Sequence, residues 1–259
     1  MFYQIKSYIT FWRQSTTKFG VHSPFVFDLI TKCFNATTDY KKITIINTYK
    51  QFLFANDTTI NVTDFGAGSR VFKTTHRKVA AIAKTAGIKT KQANLLMRLV
   101  AYFETTEVLE IGTSLGIGTL AIALGNEQVK ITTLEGCAET IKIPQTNLHH
   151  YVKNEIVFKE GEFGKTLTNT IEHKKYDLIY FDGNHQKEAT INYFEQCLSA
   201  THNDTVFIFD DIHWSSGMTA AWKYIKNHEK VKLTIDTFHW GIVFFRKEQQ
   251  EKEHFVIRT

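Results

Sequence analysis

Residues 107–119 read EVLEIGTSLGIGT, and this stretch decides the fold. Val108, Leu109 and Ile111 form a short apolar run, Gly112 ends it, and Gly116 and Gly118 open a helical pattern over 116–124. Glycine lets the main chain turn tightly and lets a ligand approach the backbone closely. A strand that passes through a glycine turn into a helix is the opening unit of a doubly wound α/β sheet.

The same rhythm continues outward. Runs rich in β-formers lie at 108–112, 130–135, 155–159, 176–182, 205–211, 231–238 and 241–246, with helical patterns at 138–151, 165–173, 187–199 and 216–228. Strands spaced by helices of about ten residues predict a parallel sheet. Only His239 and Trp240 separate the last two runs, too few for a crossover helix, so these must pair antiparallel. Toward the N-terminus the chain reads as helical. Phe2, Ile5, Tyr8, Ile9 and Trp12 recur at helical spacing, and Ser23-Pro24 starts a second helix as N-cap and N1. Further helical patterns cover 40–53, 75–86 and 91–103, with a short β-like run at 59–63. The division expected is a helical extension or lid over 1–90, a main domain over 91–250 and a tail over 251–259. The aromatic stripe of the first helix is expected to pack on the domain, because few basic residues flank it as they would in an interfacial membrane anchor.

Composition sets the outer limits. The chain has 259 residues, 43% hydrophobic and 22% charged, the profile of a globular protein with a full core. No run approaches the ~20 apolar residues of a membrane span, and Lys6, Arg13 and Lys18 interrupt any signal-peptide core. Cys33, Cys137 and Cys197 are odd in number and widely spaced, which argues against a disulfide framework or zinc site and fits the cytoplasm. The 31 basic and 26 acidic residues are scattered, without the basic stripe of a nucleic-acid binder.

Gly116-Ile-Gly118-Thr-Leu-Ala121 also matches the dinucleotide pattern GxGxxG/A. Two features oppose that match: Gly116 lies six residues past Glu110, and Glu110 puts a carboxylate where a pyrophosphate would rest on the helix N-terminus. A carboxylate there suits a cationic ligand, and S-adenosylmethionine, with its ammonium and sulfonium, is the reading adopted. Gly112, Thr113, Ser114 and Gly116 are the expected turn contacts. Glu135, 23 residues beyond Gly112, is placed to accept ribose hydroxyls, and Gly161 with Glu162 to meet the adenine edge.

Asp182 ends one run and Asp210-Asp211 the next, 28 residues on, which fits one strand–helix–strand unit. Neighbouring strands would bring these carboxylates to roughly 5 Å. Three acids that close repel unless a cation intervenes or one is protonated, and a hard divalent ion such as Mg²⁺ accepts such oxygen ligands. His185, three residues after Asp182, has the chemistry of a general base near neutral pH. His213, Trp214 and Trp240, with Phe238, are candidate substrate walls. The turn D64-F-G-A-G-S69 is expected to be a tight loop at the cleft, a lid together with His22.

The motifs LEIGTSLGIGT, TTLEG, YDLIYFDGNH and VFIFDDIHW together resemble the class I S-adenosylmethionine-dependent methyltransferases, within them the catechol-type small-molecule O-methyltransferases. The resemblance covers residues from about 90 to 246. It implies a Rossmann-like doubly wound α/β sheet of seven strands with an antiparallel last strand and a helical N-terminal extension. It also implies S-adenosylmethionine as methyl donor, a small hydroxylated acceptor, phenols among the candidates, and a metal held by Asp182, Asp210 and Asp211. In that family a lysine stands where His185 stands and an Asn where Asp211 stands, so His185, with Asp182 beside it, takes the catalytic place. A homodimer is one assembly the resemblance leaves open. The alternatives are an amine, RNA or protein acceptor, a dinucleotide-dependent oxidoreductase, and a non-catalytic binding module. The absence of an Asn/Asp-Pro-Pro-Tyr/Phe run after the fourth strand weighs against nucleobase amines.

Overall fold

The computed structural model describes residues 2–66, 68 and 72–258. In chain order the elements are α1 (Phe2–Gln14), α2 (Pro24–Leu29), α3 (Tyr40–Phe54), β1 (Thr59–Asn61), β2 (His76–Lys78), α4 (Val79–Thr85) and α5 (Thr90–Tyr102). The strand–helix alternation follows: β3 (Glu107–Ile111), α6 (Ile117–Gly125), β4 (Lys130–Glu135), α7 (Ala138–Asn147), β5 (Ile156–Glu160), α8 (Phe163–Ile171), β6 (Leu178–Phe181), α9 (Lys187–Cys197), β7 (Val206–Phe209) and α10 (Ser216–Asn227). It closes with β8 (Leu233–Asp236), β9 (Gly241–Phe244) and β10 (Glu253–Val256).

The main sheet has the order β10-β8-β9-β7-β6-β3-β4-β5. All its pairings are parallel except those of β9, which runs antiparallel to both β7 and β8. Period-two patterning assigns each side chain to a face. Val108, Leu178, Tyr180, Val206 and Ile208 join the cluster under α3, α5 and α6. Leu109, Ile111, Ile179, Phe181, Phe207 and Phe209 join the cluster under α8, α9 and α10. The central strands are buried on both faces, so they read as continuous apolar runs.

Four sequence expectations change. The sheet has eight strands, because residues 253–256 leave the tail and pair in parallel with β8 at the edge. The helix expected over 75–86 starts at Val79, and His76–Lys78 instead pairs antiparallel with Thr59–Asn61. Ser23 takes the N-cap position of α2 but its side chain makes no capping bond. The aromatic stripe of α1 packs on the domain only through Tyr8. Phe11 is the one buried residue of α1, and it and Tyr8 meet Phe238 at ring-centroid distances of 5.5 and 4.9 Å. Phe2, Ile5, Ile9 and Trp12 face outward, because the inward arc of the helix is Gln4, Ser7 and Phe11. The helix is held at its C-terminal end, where Thr16 bridges Ile257 in parallel fashion.

Candidate active site

In-register strand ends assemble the site. Ile111 lies opposite Leu134 and Phe181, and Phe181 lies opposite Phe209. The next residues of β3, β4, β6 and β7 are therefore Gly112, Glu135, Asp182 and Asp210, side by side at the carboxyl edge where open α/β sheets bind ligands. A cavity of about 850 Å³ opens there. Gly112, Ser114, Glu135 and Glu162 line one part, and Asp182, His185, Asp210, Asp211, His213 and Trp214 another.

Gly112 has φ +111°, and a Cβ on it would stand 2.2 Å from the Asp182 carbonyl oxygen, so only glycine fits between the two strand ends. Ser114 takes φ +47°. Its backbone N–H donates to Glu135 Oε2 at 2.8 Å, and Cys137 N–H donates to Oε1 at 3.0 Å. These bonds orient the Glu135 carboxylate, while burial raises its pKa against their pull. Gly116, at φ +78°, caps α6 against Pro144 and does not line the cavity. Thr113 is buried and its hydroxyl bonds that of Thr133 at 2.5 Å, also away from the cavity.

Glu110 is a correction. It shares the sheet face of Val108, beneath α6, and is 1% exposed, so it cannot touch a ligand in the cavity. Thr119 and Thr133 hydroxyls donate to its Oε2 at 2.5 and 2.7 Å. Burial pushes its pKa up to about 7 in spite of them. Its Oε1 would lie 2.6 Å from a Cβ on Gly118, so the second glycine of the GxGxxA match is there for packing. Gly161 (φ +142°) shapes the turn after β5 and lies off the cavity. Glu162 lines the cavity and pairs with Lys165 at 2.9 Å.

On the other side, burial raises the Asp182 carboxyl to about 7 and holds Asp210 well above the carboxylate range, Asp182 and Asp211 adding like charge to Asp210. Asp182 and Asp210 are hydrogen-bonded to each other, Tyr180 Oη donates to Asp182 Oδ2 at 3.1 Å, and Asp211 N–H donates to Asp210 Oδ1 at 2.9 Å. The turn between β6 and α9 carries Asn184 (φ +70°) and His185 (φ +44°) in left-handed conformation, which aims the imidazole back at Asp182 with Nε2 3.8 Å from Oδ1. Burial lowers the His185 pKa, so the ring is held neutral, as a base must be.

Among the described residues no group of three or more His, Cys, Asp or Glu side chains is arranged to hold a metal ion. The expected triad is thus present as adjoining Asp182 and Asp210 carboxyls, both with raised pKa, and Asp211 beside them. Its donor chemistry nevertheless suits a hard divalent cation, being all oxygen and burdened with like charge that such an ion would relieve.

Two substrate-wall expectations change as well. Trp240 is 1% exposed, stacks edge-on with Tyr180 and belongs to the core, because it follows the turn into a strand buried on both faces. His213 lines the cavity, but its ring nitrogens are engaged by Asp236 Oδ2 at 2.9 Å and Thr219 Oγ1 at 3.1 Å, so its role is structural. Of the expected lid, Asp64, Phe65, Gly66 and Gly68 line the cavity and His22 does not; Ala67 and Ser69 lie outside the described residues. Sequence reading missed Tyr8, Phe163, Asn184 and His239, which also line it. Only Asn184 carried a signal, its place in the DGNH turn.

A doubly wound sheet with a reversed strand, a glycine turn after its first central strand and acids at the neighbouring strand ends is the arrangement of the class I methyltransferases. A family model described as O-methyltransferase matches residues 69–239, and the chain belongs to that family. Catechol O-methyltransferase of Mycobacterium tuberculosis is 25% identical over 143 residues, 54% of this chain and 64% of that protein. The chain thus spans a little under two thirds of the length of this curated relative. Among solved structures, the SAH-bound Podospora anserina methyltransferase PaMTH1 superposes with TM-score 0.60 at 15% identity, over 88% of this chain and 97% of that one. The Bacillus cereus O-methyltransferase in complex with SAH gives TM-score 0.55 at 17% identity, over 86% and 97%. At these identities the likeness is one of fold.

Proposed function

We propose that this chain transfers a methyl group from S-adenosylmethionine to a hydroxyl of a small molecule. One observation carries the reading: a single cavity joins the Gly112–Ser114 turn and the oriented Glu135 carboxylate to the His185 imidazole beside the acids of β6 and β7. Glu135 accepts the ribose hydroxyls through the lone pairs that its two backbone bonds leave free. Gly112 and Ser114 give the close main-chain approach along which the donor lies.

His185 takes the proton from the acceptor hydroxyl as the oxygen lone pair forms the bond to the methyl carbon; the carbon–sulfur bond breaks and its electrons return to sulfur, leaving a neutral thioether. Asp182 orients the imidazole. A divalent cation held by Asp182, Asp210 and Asp211 would supply positive charge that acidifies the acceptor hydroxyl. Phe65, Phe163 and Trp214 give the cavity apolar walls suited to a phenolic ring.

The test is a labelled-methyl assay over a panel of hydroxylated acceptors, paired with calorimetric titration of the donor. His185→Ala is expected to lower kcat by about 10²–10⁴-fold with donor affinity unchanged. Full turnover in that variant removes His185 from the mechanism, and uptake of NAD in place of S-adenosylmethionine overturns the function.

A further inference from the structure

The outward face of α1 is an apolar surface that the described residues leave largely open. Phe2 is 91% exposed, Ile5 52%, Ile9 46% and Trp12 56%, at spacings of three, four and three residues, which makes one continuous stripe along the helix. A surface helix normally turns such a stripe inward. Here the inward arc is Gln4, Ser7 and Phe11, and the ring contacts of Phe11 and Tyr8 with Phe238 go with that orientation. Phe19, 87% exposed in the turn that follows, extends the apolar surface.

The charge around the stripe has one sign. Lys6 and Arg13 flank it on the helical wheel, Lys18 follows, and Arg258 sits over the Trp12 ring at 5.4 Å. The first acidic residue in the chain is Asp28. Among the described residues none of Lys6, Arg13, Lys18 and Arg258 is in an ion pair with an acidic side chain. Large apolar groups in a row bordered by unpaired cations match a surface that is apolar at depth and anionic at its rim.

We propose that the outer face of α1 docks on an anionic lipid membrane, lying in the plane of the interface with Phe2, Ile5, Ile9 and Trp12 among the acyl chains. No described helix is long and apolar enough to cross a membrane, so the attachment is peripheral. Gln4, Ile5, Tyr8 and Ile9 of the same helix line the mouth of the cavity, so docking sets that mouth against the lipid surface. The inference stands on the helix alone and does not depend on the reaction proposed above.

The experiment is flotation of the full chain with phosphatidylcholine vesicles and with vesicles that also contain phosphatidylglycerol, with no donor or acceptor present. Binding to the anionic vesicles is expected to exceed binding to the neutral ones by about tenfold or more and to weaken with added salt. Phe2→Ser/Trp12→Ser, which leaves the cavity lining untouched, is expected to abolish it without changing Tm, and Lys6→Glu/Arg13→Glu to reduce it at least about tenfold. No binding to either vesicle, or undiminished binding by the Phe2/Trp12 variant, overturns the proposal. So does a dimer in light scattering that the same variant dissociates, since the stripe would then be covered by a second copy of the chain.

Discussion

At the scale of a single residue, Glu110 separates what spacing says from what burial says. Its carboxyl follows the strand pattern into the layer beneath α6, where removal from water raises its pKa to about 7 against two threonine hydrogen bonds. In the unfolded chain the group titrates near 4.5. The folded state therefore holds the proton more tightly, and the stabilisation this gives is fully present below the unfolded pKa and lost as pH rises through the folded one. The full effect is about 3 kcal/mol. Glu110→Gln keeps the shape without the charge, so its Tm relative to the wild type is expected to climb between about pH 5 and pH 8; thermal unfolding of both proteins across that range checks it. A difference that stays flat would mean that Glu110 is ionised throughout.

At the scale of elements, the residues that the sequence placed best are those whose position follows from strand register. Asp182 and Asp210 could be put side by side because the β6–β7 pairing needs only that both runs end together. The tail strand was not legible, since β10 is short and polar and is a strand only because β8 offers an open edge to Glu253–Val256. Trp240 and Trp214 look alike in sequence, and only their depth tells the core residue from the wall. Local caps are readable but weakly so: Ser23 and Ser215 both precede helices, yet only Ser215 accepts a bond, from Met218 N–H at 3.1 Å. Ser215→Ala is expected to cost about 1 kcal/mol in urea unfolding, and Ser23→Ala to cost less.

At the scale of the molecule, the acids at the strand ends can be tested for a cation through the stability of the whole fold. Mg²⁺ bound only by the native state raises its stability by mass action. Titration with Mg²⁺ is expected to raise the wild-type Tm, a chelator to reverse the rise, and Asp210→Asn to show little of it. A wild-type Tm indifferent to Mg²⁺, Mn²⁺ and Ca²⁺ would leave Asp182 and Asp210 as a hydrogen-bonded acid pair that serves His185 alone.

The close approach of Gly112 to the Asp182 carbonyl ties the β3 end of the cavity floor to the β6 end. With no room for even a methyl group between them, any side chain at position 112 would force the two strand ends apart. Should the chemistry run as proposed, reactants would reach that floor past Tyr8 of α1 and Phe65, which line the same cavity, and opening there would be the motion to look for.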